Sequence, residues 1–260
     1  MSNFDWYAAS IPAKPEAVER AITSAFPNAD RSMRKGKNGY TDMMTWRTGK
    51  ETNATLLHGG NRDAWPHAWA SGDRAPRFAE IVRQQFPVHR VTRADIADDF
   101  DDPTAFDKLT NAGCLLADRL GIKVTHVGDY HRAEAGRTMY FGSRKTGSLM
   151  RVYEKGKQQP LAGRPDWTRC ELEAHPVDNQ RLSSAIIAPD AFYGLRAWTQ
   201  AAADELLDLE IARLLQTPST PTDDERSYAW MMKQYRGMLK RRMTLLGPVE
   251  FFALLQDELA

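Results

Sequence analysis

Hydrophobic positions recur along this chain with two periods, and their alternation predicts a mixed set of strands and helices. Phe4–Ser10 alternates as a first strand, and Pro15–Phe26 follows with Ala17, Ala21, Ile22 and Ala25 on one helical face. Tyr40–Arg47 and Ala54–His58 read as a pair of strands joined by the polar Thr48–Asn53. Asp73–Phe86 carries Phe78, Ile81, Val82 and Phe86 at helical spacing, with its cap at Asp73 or a neighbour. Val88–Asp99 is the next strand and runs into DDFDDP, which places Asp101 or Asp102 as N-cap before Pro103. The helix from Pro103 to Leu120 stops at Gly121, a residue suited to the left-handed position past a helix end. Strands follow over Lys123–Asp129, Thr138–Gly142, Ser148–Lys155 and Asp166–His175. From Asp178 onward the pattern is helical: Ala188–Leu215 and Asp223–Leu246, broken by TPSTPTDD, then a short Pro248–Leu259.

This order predicts an α+β fold, an antiparallel sheet with helices packed on it, built from two strand-helix-strand-strand halves. Residues 1–180 are expected to form the core, and 181–260 a helical C-terminal region packed on it. A chain of 260 residues is long enough to bury a sizeable core. Its mean hydropathy of −0.55 and the absence of any long apolar run exclude a helical membrane span. The N-terminus lacks a basic segment followed by an apolar one, so no secretory signal and a cytoplasmic location are expected. Cys114 and Cys170 have no CxxC spacing and read as buried free thiols.

Net charge is only +1, but the charges are segregated. Asp95, Asp98, Asp99, Asp101, Asp102, Asp107 and Asp118 face Lys108 alone, whereas Lys123–Arg169 holds ten cations against four acids. Such neighbours either pair with each other or build a metal-and-phosphate site. Period two places Leu149, Arg151, Tyr153 and Lys155 on one strand face, and Trp167, Arg169, Glu171 and Glu173 on another. A hydroxyl nucleophile, flanking cations and two carboxylates from adjacent strands suit DNA-strand cleavage. Asp95 and Asp99 share a face of their own strand, where an unpaired carboxylate would be costly. A metal ion or an arginine, Arg93 or Arg169, would remove that cost. The hard oxygens of Glu171 and Glu173 suit Mg²⁺, Mn²⁺ or Ca²⁺ rather than zinc. The six histidines form no HxH, HUH or HExxH pattern. A phenol needs nearby positive charge to act as a nucleophile, which Lys155 or Arg151 would supply. A mid-strand tyrosine is otherwise a packed aromatic, and Tyr140 is the second choice for the role. Ser143, Arg144 and Lys145 lie in a tight basic turn, Gly142–Gly147, able to hold a DNA phosphate but not forming a Walker loop. Lys233, Arg236 and Lys240 share a face of a C-terminal helix and, with Arg241 and Arg242, either track duplex phosphates or form a solvated face.

Four segments in order carry a family resemblance: VTRADIADDF at 91–100, TMYFGSRKTG at 138–147, MRVYEK at 150–155 and WTRCELE at 167–173. They resemble the Rep_trans replication initiation factors, rolling-circle initiators of plasmids and filamentous phages with relatives acting as conjugative relaxases. The resemblance covers roughly Phe4 to Ala201. It implies a fold related to HUH endonucleases but without their histidine pair, and a divalent metal, Mg²⁺ or Mn²⁺, held by acidic residues. Carried over by position, Tyr153 would be the nucleophile with Lys155 and Arg151 beside it, and Asp95 and Glu171 metal ligands, with Glu173 and Asp99 further candidates. Arg144, Lys145, Ser143 and Arg169 would contact DNA. The implied partner is origin DNA, single-stranded at the nick, with a host helicase and a homodimer left open. Related relaxases often add an N-terminal helix-turn-helix domain, whereas this chain begins on the core, which favours a compact phage or plasmid initiator. A relaxase acting at a transfer origin and a non-catalytic DNA-binding protein on the same fold are the alternatives.

Overall fold

The computed structural model describes residues 2–60, 65–132, 134–177, 179–214 and 223–259. Contacts divide the chain into two compact units, Met1–Gln216 and Thr217–Ala260. The first unit is one antiparallel sheet of ten strands: β1 Asn3–Ser10, β2 Asp30–Lys35, β3 Asp42–Thr48, β4 Glu51–His58, β5 His67–Ser71, β6 Arg90–Asp101, β7 Val124–Val127, β8 Thr138–Ser143, β9 Ser148–Glu154 and β10 Trp167–Ala174. Their spatial order is β2-β3-β4-β5-β1-β6-β10-β9-β8-β7. β1 and β6 pair at the centre, and each is flanked by the last strand of its own half, then by the earlier ones outward. Each half is therefore a strand, a helix and four further strands. The expected first half had fewer strands because β2 and β5 were not anticipated, whereas all five strands of the second half were expected.

The reason is physical in both cases. β2 is the edge strand, exposed at nearly every position, so DRSMRK carries no alternation. β5 is five residues long and buries only Ala68 and Ala70, too small a signal beside its Trp69.

Helices α1 Pro15–Ala25, α2 Ala75–Gln85 and α3 Ala105–Leu120 follow β1, β5 and β6. Pro15 opens α1, and Val18, Ala21, Ile22 and Ala25 form its buried stripe at three- and four-residue spacing. Gly121 ends α3 at φ 65°, as its position predicts. α3 begins two residues later than expected; Asp102 accepts from the Thr104 amide and hydroxyl at 2.8 and 2.7 Å rather than capping the first turn itself. Short helices α4 Lys155–Gln158 and α5 Gln180–Ser183 lead to α6 Ala197–Leu207. The expected helix Ala188–Leu215 is broken: Asp190–Leu195 forms a 3-10 turn, and Asp208 ends α6 in the left-handed region. The second unit contains α7 Asp223–Leu246 and α8 Pro248–Leu259, both at the expected bounds.

All helices that contribute to the core lie on one face of the sheet. Tyr7, Val91, Ile96, Met150, Val152, Cys170 and Leu172 point into that layer against Phe78, Val82, Phe106, Leu109, Leu116 and Phe192. Cys170 is fully buried and Cys114 only partly so; both thiols are free. Packing is tight at Gly113 of α3, where a Cβ would stand 2.5 Å from the Phe141 ring. Gly113→Ala is expected to destabilise the fold by about 1–3 kcal/mol through overpacking, outweighing alanine's better helix propensity. A lowered urea midpoint would report it.

Candidate functional site

Because a strand alternates, whatever β6, β9 and β10 do not send into the core they present on the opposite face. β10 lies between the other two. Asp95 stands directly opposite Glu173, Glu171 opposite Arg151, and Arg169 between Asp99 and Tyr153. The expected carboxylates and phenol are thus brought together, with Asp95, Glu171, Glu173 and Tyr153 all buried.

Arginines close over these groups. Arg93 donates to both oxygens of Asp95 at 2.8 and 2.6 Å, and the same guanidinium lies 3.5 Å from Glu173. Arg151 donates to Glu171 Oε1 at 2.5 Å, and the Tyr153 hydroxyl to Glu171 Oε2 at 3.1 Å. Arg144 bonds Glu173 at 2.7 and 2.9 Å, with His175 Nε2 2.8 Å from the same carboxylate. Arg169 clasps Asp99 at 2.6 and 2.7 Å and reaches Asp5 at 2.6 Å; Trp167 Nε1 also donates to Asp99. Three carboxylates and three arginines therefore balance around the Asp95–Glu171–Glu173 group.

The protonation of the group is uneven. Burial, reinforced by Glu171 and Glu173, pushes the Asp95 carboxyl up to about 6 against the pull of Arg93. Burial also acts on Glu173, but His175, Arg144 and Arg93 overcome it and hold that carboxyl at about 2. Burial and then Glu171 raise the Tyr153 phenol well above its ordinary value, and Arg169 and Arg151 only partly offset them. The resting tyrosine is a neutral phenol.

Lys155 departs from its expected place. β9 ends at Glu154, so Lys155 opens α4 instead of continuing the Arg151–Tyr153 face, and its ammonium sits 4.8 Å over the Trp167 ring. Arg144 and Arg169, expected on DNA, are each held by a carboxylate. Ser143 caps the 3-10 turn by accepting from the Lys145 amide, and the Lys145 side chain is exposed. Tyr140 lies on the same face, opposite Arg151 but one strand further from β10. On α7, Arg236, Lys240, Arg241 and Arg242 are exposed; the side chain of Lys233 lies outside the described residues.

The sequence model for replication initiation factors matches residues 89–240, more than half of the chain and all of this face's β6, β9 and β10. The chain belongs to the Rep_trans replication initiation factor family. Its fold is similar to that of a rolling circle replication initiator protein from Geobacillus stearothermophilus, with a TM-score of 0.55 and 17% identity, covering 82% of this chain and 99% of that one. No curated protein sequence matches the chain. Among the described residues of this replication initiation factor, no helix is long and apolar enough to cross a membrane.

Among the described residues, no group of three or more His, Cys, Asp or Glu stands ready to hold a metal ion, because each carboxylate is turned onto an arginine. The donor chemistry nevertheless fits a hard divalent cation. Asp95 and Glu173 already share one cation, the Arg93 guanidinium, between them. Arg93 is one of the two arginines expected beside Asp95, and it is the one found there; His175 and Asp5 were not assigned from sequence as functional groups. His175 continues the alternation of Glu171 and Glu173, a signal that was available. Asp5 becomes a neighbour of Arg169 only through the sheet order.

Proposed function

We propose that this replication initiation factor is a site-specific nicking enzyme that opens one strand of origin DNA by tyrosine transesterification, initiating rolling-circle replication. The observation that carries the reading is the Tyr153 hydroxyl hydrogen-bonded to Glu171, between Arg151 and Arg169 and beside the Asp95–Glu173 pair. The phenol proton leaves along its existing hydrogen bond to Glu171 Oε2. The Tyr153 oxygen then forms a bond to the scissile phosphorus while the bond from phosphorus to O3′ breaks. The products are a 5′-phosphotyrosyl protein and a 3′-hydroxyl, which takes up a proton and primes synthesis. Because the phosphodiester energy is kept in the phosphotyrosine, the reverse step reseals DNA without a nucleotide cofactor.

Arg151 and Arg169 favour the phenolate as it forms, and stabilise charge growing on the phosphate oxygens. Asp95, Glu173 and Glu171 would hold Mg²⁺ or Mn²⁺. A bound ion of this class supplies Lewis-acid polarisation of a phosphate oxygen. The exposed Lys145, on the turn that Ser143 caps, would contribute charge for the DNA backbone, Arg144 being held by Glu173. The exposed cations Arg236, Lys240, Arg241 and Arg242 of the second unit would add charge for duplex phosphates, and a host helicase would follow the nick.

The test is incubation with supercoiled DNA and single strands from the protein's own replicon, with Mg²⁺ or Mn²⁺ present. The expected result is a nicked circle and a protein–DNA adduct that survives denaturant. Tight binding without cleavage of any strand would replace the enzyme by a non-catalytic binding protein.

A further inference from the structure

The face that carries the carboxylates continues, without a break in the sheet, onto β1 and β5, and there its chemistry changes from acidic to aromatic. Trp6 is paired with Asp95, which fixes the two on the same face, and Trp69 of β5 is paired with Ala8 of β1. The two indoles are nearly parallel, 11° apart with centroids 6.4 Å apart. Arg93, the guanidinium that holds Asp95, lies 4.5 Å over Trp6. Beyond them, Lys37 places its ammonium 5.2 Å over Trp69, and Arg90 lies 5.0 Å over Trp65. A row thus runs from the candidate cleavage site outward: carboxylate, guanidinium, indole, indole, ammonium.

Each ring of this row could simply cover the sheet, but three features point to a ligand. Trp65 is 40% exposed and Trp69 partly exposed, on the side of the sheet that no helix of the core covers. Lys37 and Arg90 are exposed and form no ion pair with a described residue, unlike Arg93, Arg144, Arg151 and Arg169. The Trp6 indole N–H is buried without an acceptor among the described residues, a cost that an incoming acceptor would remove. Flat π faces interleaved with cations that form no ion pair among the described residues match a chain of stacked bases joined by phosphates. A duplex hides its base faces, so the complementary ligand is a single strand.

We infer that the β1–β5 face is a stacking platform for the single-stranded DNA flanking the scissile phosphate, its bases replacing Lys37 over Trp69 and Arg90 over Trp65 while the two displaced cations turn onto the phosphates. The inference rests on the cleavage reading for its placement beside the nick. Stacking is tolerant of sequence, so the platform extends the grip on an unpaired strand without selecting the origin.

Binding of oligothymidylate to the full chain, followed by tryptophan fluorescence and by anisotropy of a labelled strand, tests it separately from cleavage. Trp69→Ala is expected to weaken single-strand binding about tenfold, Trp69→Phe to retain most of it, and Lys37→Ala to reduce the salt dependence of binding. On the replicon's own strand, the loss of cleavage is expected in KM rather than kcat. If the wild-type protein cleaves but Trp69→Ala, Trp65→Ala and Lys37→Ala, each folded by circular dichroism, bind the oligonucleotide as tightly as wild type, the platform is overturned while the cleavage reading stands. If the wild-type protein binds single strands through these residues but never cleaves, the platform stands and the cleavage reading falls. Should Trp69→Ala fail to fold, Trp65→Ala and Lys37→Ala decide alone.

Discussion

Tyr153→Phe is expected to lose the covalent DNA adduct and all detectable nicking while keeping its fold. The ring occupies a buried slot on β9, and phenylalanine fills it without the hydroxyl. Only one hydrogen bond disappears, the donation to Glu171 Oε2, and Glu171 keeps Arg151 at its other oxygen. The stability change is therefore expected within about 1 kcal/mol, the net size of one such bond. Chemistry has no such reserve, since no hydroxyl remains on the Glu171 carboxylate. Denaturing electrophoresis of labelled strands reads the adduct directly. Tyr140→Phe is the matched control: that ring lies opposite Arg151 on β8, one strand further from β10, and its loss is expected to leave the adduct in place. An adduct surviving in Tyr153→Phe and lost in Tyr140→Phe would transfer the nucleophile to Tyr140.

How far such a site can be read in advance depends on what each residue needs from the rest of the sheet. β6, β9 and β10 send mostly apolar side chains to one face and most of their charged ones to the other, so alternation alone grouped Glu171 with Glu173 and Arg151 with Tyr153. Local pattern offered Arg93 or Arg169 for Asp95, and Arg93 is its partner, but the other pairings do not follow from it. Arg144 and Arg169 lie in a basic stretch that suggests phosphate contacts, yet Arg144 is held by Glu173, and Arg169 by Asp99 and Asp5. Asp5 is separated from Arg169 by most of the chain and reaches it only because β1 and β6 pair at the centre. The same central pairing sets Trp6 beside Asp95, and β5, with two buried alanines and no strong period, supplies Trp69. Lys155 shows the opposite limit: extending the alternation by one residue kept it on the Tyr153 face, but the chain turns into α4 there. The aromatic half of the face was thus hidden with the unanticipated β5, and the charged half was legible in its members but, Arg93–Asp95 apart, not in their partners.

Asp95→Asn is expected to separate stability from activity. The Asp95 carboxyl is raised from its ordinary 3.8 to about 6, first by burial and then by Glu171 and Glu173, despite Arg93. A folded-state value above the unfolded one means that the folded protein holds this proton more tightly. The stability it contributes is full below 3.8 and is lost as pH rises through about 6. Above that window the ionised, buried carboxylate costs of order 2–3 kcal/mol relative to its protonated form. Asparagine is nearly isosteric with the protonated acid and never takes on the charge. In chelator, the variant is therefore expected to match the wild type near pH 4 and to be the more stable of the two at pH 8. Glu173 adds an opposite trend, stability lost as pH falls toward about 2, but it is common to both proteins and cancels in their difference. Activity is expected to move the other way, because the amide gives up the negative charge that the Asp95–Glu173 pair offers a cation. Mg²⁺ should raise the melting temperature of the wild type at pH 8 and leave that of Asp95→Asn nearly unchanged. A variant that is less stable at every pH, or that nicks as well as wild type, would mean that the carboxylate is there for Arg93 alone.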